Sequence, residues 1–144
     1  MIDIVTILKD RDWYKEKPAG QKQIEELIAN ATPGLPAEYI AFLQYSNGGE
    51  GSLGVNPGWF CLWAAEDVIE RNKGYEIDKE LPGYFGFGSN GAGELFAFEI
   101  TQGEPWKIVI IPFIPMEANY AIVIANNFEE FIQAIGLEYD WPDL

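Results

Sequence analysis

The sequence contains no histidine and one cysteine, Cys61. Imidazole is the usual general acid or base near neutral pH and a common zinc ligand, so any such chemistry here would fall to carboxylates. A single cysteine cannot close a disulfide within the chain, and an unpaired thiol suits a reducing compartment. Its neighbours Phe60 and Leu62 point to a buried structural thiol. The opening MIDIVTILKDRDW lacks the basic n-region and small-residue cleavage site of a signal peptide, and no apolar run approaches membrane-spanning length. The expectation is a cytoplasmic protein without a membrane partner. Neither an EF-hand loop nor HExxH occurs, so no metal or cofactor is expected.

Basic residues are also scarce: 9 Lys and Arg face 23 Asp and Glu, a formal charge of −14. The imbalance begins after Lys22, and no Lys or Arg occurs between Lys22 and Arg71. Such a surface repels nucleic acid, which excludes direct DNA or RNA binding from the expected functions. Composition alone asks no more of this acidity than solubility; the sharper reading is a basic protein partner.

What is present fits a folded chain. With 48% hydrophobic and 15% aromatic residues and no low-complexity tract, residues 1–144 read as one domain able to bury its own core. Ile2, Ile4, Val5 and Leu8 hint at a short helix or strand. Ile24, Leu27, Ile28 and Ala31 recur at helical spacing, predicting a helix that ends before Thr32-Pro33-Gly34. A second helix follows, with Pro36 in its first turn, Tyr39, Phe42 and Leu43 along its apolar stripe, and Asn47-Gly48-Gly49 as its stop. Strands are predicted over 58–63, 84–87, 94–100, 107–113 and 121–125, with a short helix or turn at 65–72. A closing helix runs from the N-cap Asn127, with Glu130 at N3, to Gly136. Consecutive strands flanked by helices, rather than alternating with them, predict an α+β fold with an antiparallel sheet.

Gly86, Gly88 and Gly91 spell G-x-G-x-x-G, the dinucleotide fingerprint. That motif works only where the glycines open a helix, and here Phe96, Phe98 and Ile100 follow at period two, the mark of a strand. The glycines therefore read as backbone devices. Gly86 and Gly88 would admit neighbouring strands, Asn90-Gly91 would turn, and Phe85, Phe87 and Phe96 would fill the core.

Taken in order, Leu35-Pro36 with Tyr39, Phe42 and Leu43, Asn47-Gly48-Gly49, Leu62-Trp63 with Glu66, Asn72 and Tyr75, the 85–96 glycine segment and Phe128-Glu129-Glu130-Phe131 resemble the SUKH superfamily. That superfamily is typified by a fungal cell-wall-assembly regulator and by bacterial immunity proteins. The resemblance implies a central antiparallel sheet, no settled catalytic residues and a binding role. For a chain this size it implies an immunity protein that neutralises a polymorphic toxin, such as a nuclease, by direct contact. The partner would be a basic toxin domain.

The candidate partner-binding residues are Glu50, Trp59, Glu66, Asp67, Glu70, Asn90 and Glu94. Trp59 is singled out among the tryptophans at 13, 59, 63, 106 and 141 because it follows Pro57-Gly58 and the acidic loop at Glu50; Trp63 reads as packing. The carboxylate pairs Glu25-Glu26, Glu66-Asp67 and Glu129-Glu130 are accounted for by solvated faces and first-turn acids. The enzymatic alternative is a carboxylate-dependent hydrolase using Glu66, Asp67 and Glu94, and a third reading is an intracellular regulatory scaffold related to cell-wall assembly. The sequon Asn30-Ala31-Thr32 lies at a predicted helix end and carries no weight.

Overall fold

A computed structural model describes residues 3–142. The chain opens with α1 (Ile4–Leu8), whose N-cap Asp3 accepts the Thr6 amide; Ile2 lies outside the described residues. β1 (Trp13–Tyr14), α2 (Gln21–Asn30) and α3 (Ala37–Tyr45) follow. Then come β2 (Gly49–Ser52), β3 (Trp59–Leu62), α4 (Ala65–Gly74) and α5 (Ile77–Glu80). β4 (Tyr84–Ser89), β5 (Glu94–Glu99), β6 (Lys107–Pro112), β7 (Ile122–Ala125) and α6 (Phe128–Ala134) complete the described strands and α-helices. The seven strands form one sheet in the order β1 to β7, and every neighbouring pair is antiparallel. The architecture is α+β.

Three elements were not foreseen. β2 reads Gly-Glu-Gly-Ser, a sequence with no strand propensity, and is a strand because it is paired on both sides, to β1 and β3. β1 has only two residues, and α5 is a single turn, too short to show a period. The 65–72 segment, left between helix and turn, is a ten-residue helix.

Alternation divides the sheet into two faces. On one, Phe60, Leu62, Phe87, Phe96 and Phe98 meet Tyr39 and Phe42 of α3 and Phe128 and Phe131 of α6. Phe87 is central, with ring centroids 4.4 Å from Phe98 and 5.8 Å from Phe131. Trp13, despite its polar surroundings in sequence, packs against Phe42 and Phe60 on this face. On the other face, α4 and α5, with buried Val68, Ile77 and Leu81, pack against β4, and Ile77 lies over Gly86 beside Leu95.

Phe87 reaches its place through a bulge. The pairing of β4 with β5 slips between Gly86 and Gly88, which makes Phe87 the extra residue. Gly88 then lies so close to β3 that a Cβ there would be 2.7 Å from the Cys61 carbonyl oxygen. The expected close approach of strands therefore holds at Gly88. At Gly86 the space is filled instead by α5, since a Cβ would sit 2.8 Å from the Ile77 side chain.

Gly88→Val should therefore cost roughly 3 kcal/mol or more, because the obstructing atom is backbone and cannot swing away. Gly74→Ala, at the open end of α4 with no atom within 4 Å of the new methyl, should stabilise by about 0.5–1 kcal/mol. Chemical denaturation of both variants checks the pair of signs.

Tyr39 carries the one buried side-chain polar atom without a hydrogen-bond partner among the described residues, its hydroxyl. Tyr39→Phe should raise stability by about 1 kcal/mol, since an unsatisfied buried hydroxyl costs more than its removal. Burial holds the phenol above its ordinary value, so the folded state keeps a proton that the unfolded chain releases near pH 10. This contribution is complete below about pH 10 and is lost above it, and the variant should show a shallower alkaline decline in denaturation midpoint.

Candidate functional site

The first residue that shapes a site is Asn47, in the turn after α3. Its amide donates to the Lys17 carbonyl, its Oδ1 accepts the Ala65 amide at 2.7 Å, and its Nδ2 donates to Glu66 at 2.7 Å. The N-cap position of α4 is Ala64, which has no side chain able to cap, so Asn47 supplies the cap from 18 residues away. Gly48 turns the chain directly afterwards at φ 90°, where a Cβ would meet the Leu62 carbonyl oxygen at 2.5 Å. The second oxygen of Glu66 accepts Gln23 of α2 at 3.0 Å. Thus α2, the turn after α3 and the start of α4 are joined at one carboxylate.

Beside this junction, over the β2–β3 hairpin, opens a cleft of about 650 Å³. Glu16, Glu50, Glu66 and Asp67 line it against two cations, Lys17 and Arg71. Glu50 of β2 lies opposite Cys61 of β3 in register, and the thiol lies 3.6 Å from a Glu50 carboxylate oxygen. Cys61 corrects the sequence reading: it is half-buried in the cleft rather than enclosed. Its neighbours Phe60 and Leu62 are indeed buried, and alternation along β3 sends the residue between them to the other face. Burial raises the thiol above its ordinary value, and the Glu50 charge raises it further.

Next to the cleft, Asp67, Glu70, Arg71 and Tyr75 border a hollow of about 470 Å³. The Arg71 guanidinium lies 5.7 Å from the Trp63 ring centre, Trp63 stacks on Tyr75, and Tyr75 stacks on Phe113. Among the described residues the single ion pair is Lys79–Glu76 at 3.7 Å, exposed and worth little. The carboxylates of the cleft therefore face solvent without cationic partners.

Of the seven candidate residues, the structure brings Glu50, Glu66 and Asp67 into the cleft and places Glu70 at its neighbour. Trp59 is 37% exposed, two residues from Cys61 on β3 and outside the cleft lining. Asn90 and Glu94 shape the β4–β5 turn: Asn90 Oδ1 accepts the Ala92 and Glu94 amides, both at 2.9 Å, and its Nδ2 donates to Glu94 Oε1. Glu94 lines neither hollow, so the trio Glu66, Asp67 and Glu94 is not assembled around one cavity. Sequence reasoning missed Glu16, Gln23, Asn47 and Arg71. Arg71, the first cation after a long gap, and Asn47, through the Asn47-Gly48-Gly49 turn, carried a signal, and Glu16 and Gln23 carried none.

A further hollow of about 490 Å³ lies between α3 and α6, beside Pro36, Glu38, Trp106, Phe128 and Glu129. Glu38 and Glu129 stand in the first turns of those helices, where a carboxylate complements the positive helix end. Among the described residues no group of three His, Cys, Asp or Glu could hold a metal ion, and no helix is long and apolar enough to cross a membrane.

The family model of the SMI1/KNR4 family (SUKH-1) matches residues 18–134. The chain belongs to that family. No curated protein matches the chain. The SUKH-1 match takes in α2 to α6 and most of the cleft lining, leaving out α1, β1, Glu16 and Lys17. The glycine segment and the Asn47-Gly48-Gly49 turn, which suggested the SUKH superfamily, both lie inside it.

The Cys61 thiol offers a probe of the cleft. Glu50→Gln should lower the pH midpoint of Cys61 alkylation and speed the reaction at neutral pH, because it removes a negative charge that opposes thiolate formation. An unchanged midpoint would mean that burial alone sets the thiol.

Proposed function

We propose that this SUKH-1 chain is a non-enzymatic binding protein, an immunity protein that neutralises a toxin domain by covering a basic surface on it. The observation that supports this most is the gathering of Glu50, Glu66 and Asp67 in one cleft beside Glu70, in a chain of net charge −14 with a single exposed ion pair among the described residues. A surface of that kind attracts a cationic partner over long range, and the exposed ring of Tyr75, backed by buried Trp63, can hold it once in contact. Within the cleft the carboxylates divide into two kinds. Glu66 is fixed by Gln23 and Asn47, while no side-chain hydrogen bond to a partner in the structure holds Asp67 or Glu70. Asp67 and Glu70, with Glu50, are the steering charges, and Glu66 holds the scaffold.

Purification from cells co-expressing the neighbouring open reading frame should recover a complex with a basic toxin domain, and co-expression should rescue growth. Raising ionic strength from roughly 10 mM to roughly 150 mM shortens the Debye length from about 30 Å to about 8 Å. The association rate should then fall by about tenfold or more while dissociation changes little. Neutralising Glu50, Asp67 and Glu70 together to the amides should reproduce much of that fall at low salt. Glu66→Gln should lower stability instead. An association rate indifferent to both salt and the triple change would sink the proposal.

A further inference from the structure

The two edges of the sheet are treated differently. β1 is two residues long and lies between Asp10-Arg11-Asp12 and Lys15-Glu16-Lys17, so shortness and charge both discourage a strand from adding there. β7, at the other edge, pairs only with β6. Ile122 and Val123 are both about half exposed, and as neighbours on a strand they point to opposite faces, so the first half of this edge is open on both faces, while Ile124 and Ala125 pack against the core. Ile114 is 92% exposed and Tyr120 nearly half exposed in the loop leading to it. No charged residue occurs from Ala118 to Phe128, and the strand contains neither lysine nor proline. A bulge at Ile124 interrupts the pairing with β6 near the end of the strand, and it is the one edge-blunting device there.

We infer that β7 is the contact through which two copies of this chain associate, edge to edge and antiparallel about a twofold axis near Ile122–Val123. An antiparallel strand edge is complementary to itself under a twofold, so one sequence serves both sides of the contact. Charge favours the second copy over a basic partner: the segment from Ala118 to Phe128 carries no charge of its own, and the carboxylate joined to it, Glu130, accepts Asn126 Nδ2 beyond the end of the strand, so it offers a cationic protein little attraction, yet it is where two bodies of charge −14 can approach with least repulsion. The contact is independent of the acidic cleft, whose residues lie on β2 and α4 at the other side of the sheet order.

The sign of the salt effect distinguishes this contact from toxin binding. Sedimentation of the full chain should show the mass rising with concentration from 16.2 kDa toward twice that value, and the association should tighten as salt screens the like charges. Val123→Lys should weaken it at least about tenfold, because the twofold sets like charges against each other across the contact. Tyr14→Lys, on β1, should leave it unchanged. Circular dichroism reports whether each variant is folded. Should Val123→Lys fail to fold, hydrogen exchange of the unaltered chain still decides, since amides of residues 122–125 should gain protection as concentration rises. A mass of 16.2 kDa at every concentration, a dimer that weakens with salt, or β7 amides protected only when a toxin partner is added would each overturn the inference.

Discussion

The geometry of the cleft depends on how α4 is held, and two asparagine side chains hold it. Asn47 caps its first turn from outside the helix and binds Glu66. Asn72, two turns on, donates to the Gly86 carbonyl at 2.8 Å and accepts the Gly86 amide at 2.9 Å, pairing with that backbone as a neighbouring strand would. β3 pairs with β4 only at Gly88 and Ser89, so the Gly86 polar groups would otherwise be buried without partners, at a cost of about 1–3 kcal/mol each. Fixing both ends of α4 fixes the directions of Asp67, Glu70 and Arg71 between them. The cleft surface is thus set by amide hydrogen bonds, while Asp67 and Glu70 on it accept no side-chain hydrogen bond.

That division explains how a small fold carries so many uncompensated carboxylates. Self-repulsion at charge −14 opposes the compact state. The opposing term is apolar: Phe42, Phe60, Phe87, Phe96, Phe98, Phe128 and Phe131 are all fully buried, and each such side chain contributes about 1.5–3 kcal/mol relative to exposure. Because these rings are shared between β3, β4, β5, α3 and α6, the core resists charge changes on the far face of the sheet. Loss of Asp67 or Glu70 there leaves the core intact, whereas Glu66 is bonded into the scaffold through Gln23 and Asn47.

The parts of the structure legible in the sequence were those written at short range. Period two in 94–100, the β-forming run 107–113 and helical spacing in 21–31 and 37–45 placed their elements, and the chemistry of Asn127 and Gly136 marked the ends of α6. β2 was illegible because a Gly-Glu-Gly-Ser strand exists only through its partners. The role of Glu66 was illegible for the same reason: a carboxylate beside Asp67 reads as a surface pair until Gln23, 43 residues earlier, is seen to bind it. Cys61 misled because local apolar neighbours were taken for burial, whereas in a strand they argue that the residue between them faces the other way.

The glycine motif brings these scales together. A fingerprint that binds pyrophosphate needs free amides at the mouth of a helix. Here the Gly86 amide is donated to Asn72 and the Gly91 amide to Ser89 Oγ, and Glu94 begins a strand. The same three glycines that could have cradled an anion instead admit a bulge, a close strand and a tight turn. Each of these serves the placement of Phe87: the bulge aims its ring at α6, Gly88 removes the side chain that would contest that space with Leu62, and the turn returns β5 to supply Phe96 and Phe98 around it. A nucleotide site and this core are alternative uses of one glycine pattern, and here the strand that begins at Glu94 and the hydrogen bonds between Asn72 and Gly86 commit it to the core.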